Sequence, residues 1–124
     1  MKSYTDIEQS KKLAEILPIE SADMWWLYIT AQGKHIAMMH EEPDPHYLAR
    51  MESYGIKNAA IPCWSLAALL GFIPNYKLSS EHNYHTCTAE TSFGEETVGW
   101  FDSPVDACFE MILKLKELKL LFAK

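Results

Sequence analysis

The hydrophobic pattern of the chain contains one arrangement twice: a short helical stretch, a proline, and then β-prone residues. The first copy is residues 12–18 (KLAEILP), and the second is residues 65–70 (SLAALL), closed by Pro74. Each copy has apolar positions at helical spacing and precedes residues rich in aromatic and β-forming types. The pattern indicates an internal helix-strand repeat. The alternative is two similar helices without a true duplication.

In the first part of the chain, the pattern predicts a helix followed by a hairpin. Apolar positions at helical spacing cover about residues 5–17, and Pro18 prevents continuation of the helix. Residues 24–30 (MWWLYIT) are apolar on both faces and are separated by Gln32-Gly33 from residues 35–39 (HIAMM). These two runs predict a hairpin whose first strand is internal to a sheet.

The middle of the chain is polar and then strongly apolar. Residues 40–60 contain several chain breakers, and we expect a single helical segment at residues 47–51. Residues 63–70 (CWSLAALL) are apolar on nearly all sides. They predict a second, largely buried helix that ends at Gly71.

The last third predicts a meander and a longer helix. Ser103 is an N-cap residue, Pro104 suits the first helical position, and apolar residues recur at helical spacing after them. The predicted strands are residues 76–81, 84–90 and 96–101. The fold class is therefore α+β, with antiparallel β-segments (a hairpin plus a three-stranded meander) packed with two short helices and a longer C-terminal helix.

The length of 124 residues indicates one domain spanning residues 1–124, and a chain that is 48% hydrophobic and 23% charged has an ordinary globular composition. The formal net charge of −6 repels phosphate backbones, so we expect no nucleic-acid partner. We find neither the apolar run of a signal peptide nor that of a membrane span, and we expect a cytoplasmic protein that does not bind membranes. Three cysteines are an odd number without a close pair, and they favour reduced thiols.

One group of residues has the types that bind zinc. His82, His85 and Cys87 lie close in sequence, and His40 or His46 could complete the ligand set. In a strand His85 and Cys87 share a face while His82 falls in the turn, and no second paired half exists. We therefore interpret His82, His85 and Cys87 as ordinary turn and strand residues, and we expect no metal or other cofactor.

A thiol nucleophile is the other catalytic hypothesis. Cys63 stands near the start of the predicted second helix, where aligned amides would lower the pKa of its thiol, with His82 or His85 as base. Cysteine in an apolar helix is commonly a small buried hydrophobe, and no glycine-framed nucleophile motif surrounds it. A small metal- or thiol-dependent enzyme using Cys63, His82, His85 and Cys87 is therefore the alternative to a non-catalytic protein.

Surplus aromatic and methionine residues favour an interaction protein. Trp25 and Trp26 point to opposite faces of one strand, so one of them is a candidate contact for another subunit or a ligand unless both faces are covered. Met38 and Met39 are soft side chains that suit adaptable interfaces, and we add Tyr47 as a further candidate. We expect a non-catalytic accessory or interaction module that binds a protein partner or itself.

Three segments together resemble a known group of sequences: the helix that ends in Leu17-Pro18, residues 62–70 (PCWSLAALL) and residues 106–115 (DACFEMILKL). They are similar to a family of small uncharacterised bacterial proteins often found in phage-like or mobile-element gene contexts. The resemblance leaves out residues 40–60 and 91–96. It implies a compact α+β accessory protein and brings no known activity or catalytic residues.

Overall fold

A computed structural model of the chain describes residues 2–38 and 42–121. The chain divides into two compact units, residues 6–64 and residues 65–121 together with residues 2–5. We call the first the insert unit, because the chain enters and leaves it from the other. We call the second the meander unit. The expectation of one domain over residues 1–124 stays a prediction.

The insert unit is a three-stranded antiparallel sheet with helices. Its elements are α1 (Ile7–Ala14), a short 3-10 helix (Ile19–Ser21), β1 (Met24–Ile29), β2 (Lys34–Met38), α2 (Pro45–Ser53) and β3 (Ala60–Cys63). The strand order is β2-β1-β3, and β1 is antiparallel to both neighbours. The predicted hairpin with an internal first strand is therefore confirmed.

Helix α1 begins with a capping box. The Asp6 carboxylate accepts the Gln9 backbone N–H at 2.8 Å, and the Gln9 side chain accepts the Asp6 backbone N–H at 3.1 Å. The helix ends at Ala14, three residues earlier than predicted. The ring of Pro18 disfavours helical backbone at the preceding residue, so the last predicted residues form a turn instead.

The predicted helix over residues 63–70 is wrong in its first part. Residues 60–63 form β3, which pairs with β1, and Cys63 is therefore a strand residue. The helix itself, α3, is Leu66–Leu70. It begins there because the Ser65 side chain accepts the Ala68 backbone N–H at 3.2 Å and caps the first turn.

The meander unit follows the predicted order of elements. After α3 come β4 (Lys77–Glu81), β5 (Tyr84–Thr91), β6 (Gly94–Phe101) and α4 (Pro104–Glu117), with strand order β4-β5-β6. His82 and Asn83 have positive φ angles of 52° and 68°, as a two-residue hairpin turn requires. The meander and the longer C-terminal helix are confirmed.

Helix α4 covers one face of the meander and contacts β5 and β6. Ser103 caps it by accepting the Asp106 backbone N–H at 3.1 Å. The residues that α4 buries are Val105, Ala107, Cys108, Phe109, Met111, Ile112 and Leu115. On β5 His85, Cys87 and Ala89 are buried and the residues between them are not, so the alternation predicted for this strand is present.

The two units share the order of a helix followed by strands, but their sheets differ. In the insert unit the strand that follows the first helix, β1, is central. In the meander unit the corresponding strand, β4, lies at an edge. The similarity between the two halves therefore does not extend to sheet topology.

We expect the substitution Gly99→Ala to destabilise the meander. Strand β6 has one more residue than β5 at this point, and a Cβ on Gly99 would lie 2.5 Å from Cγ2 of Thr86. The free energy of unfolding, measured by urea denaturation, should fall by about 1–3 kcal/mol because of this overlap. Thr86→Ser removes Cγ2. In a Thr86→Ser background, Gly99→Ala should therefore lower the free energy of unfolding by less than it does in the wild type. An unchanged unfolding free energy in Gly99→Ala would contradict the close approach.

Candidate interaction surface

The face of the meander turned away from α4 is exposed. Directly paired residues of neighbouring strands share a face, and Thr88 pairs with Lys77 on one side and Thr97 on the other. The residues of this surface, which we call the open face, are Lys77, Ser79, Glu81, Tyr84, Thr86, Thr88, Glu90, Glu95, Thr97 and Trp100.

Two aromatic side chains lie at one end of the open face. Trp100 is 61% exposed and Tyr84 is 48% exposed. Trp100 precedes Phe101, which pairs with the inward residue His85, and the extra residue of β6 lies opposite Thr86. Exposed tryptophan and tyrosine are the residue types that most often dominate binding energy in protein interfaces.

Hydroxyl and carboxylate groups, with Lys77 as the one cation, occupy the rest of the open face. The Oγ1 atoms of Thr88 and Thr97 are 2.9 Å apart and form a hydrogen bond across two strands. Glu90 and Glu95 are directly paired, and both are exposed. Like charges placed opposite each other in a sheet repel, so this part of the face favours a cationic group.

The two tryptophans selected from the sequence lie in the insert unit and are both half-buried. Trp25 pairs with Met38, which is 38% exposed, and these two residues share one face of the sheet. Trp26 lies on the other face and pairs with Ile61. Their role in binding stays a prediction, and Met39 lies outside the described residues.

Tyr47 has a structural contact within the insert unit. Its hydroxyl donates to the Tyr28 carbonyl oxygen at 2.7 Å and lies 3.3 Å from the Ala59 carbonyl oxygen. It therefore joins α2 to the ends of β1 and β3. Burial raises the pKa of Tyr47 above the usual value of 10.0. Whether Tyr47 also contacts a partner stays a prediction.

The residues of the zinc hypothesis differ in their exposure to solvent. His82 is exposed in the β4–β5 turn, whereas His85 and Cys87 are buried on the α4 side of β5. His46 is exposed in α2, and His40 lies outside the described residues. Within residues 2–38 and 42–121, no three His, Cys, Asp or Glu side chains are grouped to hold a metal ion.

All three thiols are enclosed, and none of their side chains has solvent-exposed surface. Cys63 ends a strand of the insert unit, so the helix amides that we expected to lower its pKa do not begin at this residue. Cys87 and Cys108 form a hydrogen bond between β5 and α4, and this bond together with burial raises the pKa of the Cys108 thiol. These positions favour packing over nucleophilic chemistry.

Sequence reasoning missed Tyr84 and Trp100 as surface residues. The alternation along β5 contained the signal for Tyr84, because it places this residue with Thr86 opposite the inward His85. No comparable signal existed for Trp100, because the extra residue of β6 changes which side chains face outward.

Comparison with protein-family models, curated proteins and solved structures gave no significant match. The suggested relation to proteins of mobile elements therefore stays a resemblance. Among the described residues, no helix combines the length and the apolar character needed to cross a bilayer.

We expect Tyr47→Phe to lower the free energy of unfolding by about 1 kcal/mol near neutral pH, because the Tyr28 carbonyl loses a donor. The pKa of Tyr47 is raised in the folded chain, so folding favours the protonated phenol. The stability contributed by the hydroxyl is therefore complete below pH 10 and is lost as the pH rises through the folded pKa. Urea denaturation at several pH values should show the wild type approaching Tyr47→Phe above pH 10. A constant difference would contradict this assignment.

We expect all three cysteines to react slowly with a thiol reagent in the folded protein, because their side chains are enclosed. In denaturant the same reagent should modify Cys63, Cys87 and Cys108 rapidly. Mass spectrometry of the modified peptides distinguishes the sites. Fast modification of Cys63 in the folded protein at neutral pH would instead support the thiol-enzyme hypothesis.

Proposed function

We propose that this chain is a non-catalytic interaction module that binds a basic surface of a partner protein through the open face. The observation that carries the proposal is Trp100, a tryptophan that is 61% exposed on the sheet face turned away from α4. The resemblance to proteins of mobile elements implies an accessory role in such an element, and we include that role in the proposal.

The two aromatic side chains at one end of the open face favour packing against an apolar side chain of a partner. Trp100 and Tyr84 offer broad ring surfaces, and side chains of this size bury roughly 150–250 Å² each when fully covered. Each of these side chains has only two rotatable bonds, so binding to a partner would cost little side-chain entropy. The polar threonine groups beside them match the mixed character of protein interfaces.

The charge of the face supports a basic partner. Glu90 and Glu95 are exposed and held opposite each other at the end of the face that lies near the β5–β6 turn. Lys77 is the one cationic residue among those of the open face. A lysine or arginine of the partner would relieve the repulsion between Glu90 and Glu95, and the net charge of −6 would attract it over longer range.

The alternative, a small metal- or thiol-dependent enzyme, has less support. It needs Cys63, His82, His85 and Cys87 to face a substrate. Both of these cysteines are enclosed, and His85 is buried beside Cys87.

Capture from a cell lysate with the wild type, followed by calorimetry with the purified partner, tests the proposal. We expect Trp100→Ala to weaken binding by about thirtyfold or more, the loss that defines a binding hot spot. Phe93→Ala is the control, because Phe93 is an aromatic residue on the β5–β6 turn that is even more exposed, 78% against 61% for Trp100. It should leave the affinity unchanged.

Glu90→Gln examines the charge argument separately. The affinity for a basic partner should fall and become less sensitive to salt, because one attractive charge is removed. A captured partner whose affinity is the same for wild type, Trp100→Ala and Glu90→Gln would show that the open face is not the binding surface.

A further inference from the structure

Strand β4 is an exposed edge of the meander. Among the described residues its one neighbouring strand is β5, and every β4 residue except Leu78 is exposed. An edge of this kind carries backbone N–H and C=O groups that another strand can pair with. The inference that follows concerns this edge and does not rest on the proposed function of the open face.

The hairpin turn fixes which backbone groups point outward. A two-residue turn at His82-Asn83 makes Glu81 and Tyr84 a hydrogen-bonded pair, and such pairs alternate along an antiparallel ladder. The backbone groups of Ser79 therefore point toward β5. Those of Leu78 and Ser80 point to the free edge.

We propose that β4 is the surface through which two copies of this chain associate, paired antiparallel about a two-fold axis at Ser79. Leu78 of each copy then exchanges backbone hydrogen bonds with Ser80 of the other. Lys77 of each copy lies directly opposite Glu81 of the other. Both residues are exposed on the open face, so opposite charges meet at both ends of the paired segment.

The charges select this arrangement over others. Parallel pairing of the two free edges would turn the open faces of the two copies to opposite sides of the sheet, so Lys77 of one copy could not meet Glu81 of the other. An antiparallel shift by two residues would place Lys77 opposite Ser79 and remove both ion pairs. Only pairing centred on Ser79 matches both the outward backbone groups and the charges.

The other edge of the same sheet is less suited to strand pairing. Strand β6 carries an extra residue opposite Thr86, which interrupts the regular spacing of its backbone groups. Irregularities of this kind are a common way in which proteins block edge-to-edge association. Strand β4 pairs regularly with β5 along its whole length.

Sedimentation velocity of the full chain over a range of micromolar concentrations tests the proposal. We expect a reversible dimer, and we expect Lys77→Glu and Glu81→Lys each to weaken it by about tenfold or more, because each places like charges opposite one another. Lys57→Glu and Glu52→Lys change the net charge equally at exposed sites of the insert unit and should leave the dimer intact.

Mixing the two single variants is the decisive measurement. In an equimolar mixture of Lys77→Glu and Glu81→Lys, every position 77 faces an opposite charge at position 81 of the other copy. A heterodimer should therefore form with close to wild-type affinity. Circular dichroism checks that both variants are folded, and the mixture tests pairing even if one of them is less stable.

Hydrogen exchange locates the interface independently. The amides of Leu78 and Ser80 should exchange more slowly at concentrations where the dimer forms, while neighbouring Ser79 should change little. A wild type that stays monomeric at high micromolar concentration would overturn the proposal. So would a dimer that the two charge variants do not weaken, or a mixture in which no heterodimer appears.

Discussion

The meander unit depends on the burial of one face of α4 against β5 and β6. The helix has a cap, a proline at its first position and apolar residues on one side, and its largest buried side chains include Met111, Ile112 and Leu115. Complete burial of such a side chain contributes roughly 1.5–3 kcal/mol. A single helix covers only one face of a three-stranded sheet. The same packing that stabilises the unit therefore leaves the opposite face exposed.

The two faces of the meander therefore carry different kinds of side chain. On the covered face, the Cys87 and Cys108 side chains form a hydrogen bond across the helix-sheet layer, and His85 lies on the same side of β5. On the exposed face are Tyr84 and Trp100, with carboxylates and threonines. Cys87, Cys108 and His85 are buried on the covered face, whereas aromatic, hydroxyl and carboxylate side chains are accessible on the open face.

The two proposed surfaces are compatible with each other. A two-fold axis perpendicular to the sheet at Ser79 keeps the open faces of both copies on the same side. A partner with two equivalent basic sites could then bind both faces, and the second contact would form at a high effective concentration. Modest affinity at each face would be sufficient for stable association.

Local sequence determined much of this fold. Ser103 and Pro104 define the start of α4, His82-Asn83 defines a tight turn, and the apolar run around Trp25 and Trp26 defines an internal strand. Each of these features depends on neighbours within a few residues, which is why it could be predicted. The candidate surface was not among them, apart from the alternation that turns Tyr84 outward.

Tertiary structure decided the rest. The segment 60–63 is short, contains Pro62 and shows no alternation of apolar and polar residues. It forms a strand only because β1 offers a partner for pairing. That pairing moves Cys63 from a helix start into an enclosed strand. The extra residue in β6 is likewise defined only relative to β5, and with it Trp100 faces solvent instead of the core. Strand pairing joins residues far apart in sequence, so local patterns could not specify these positions.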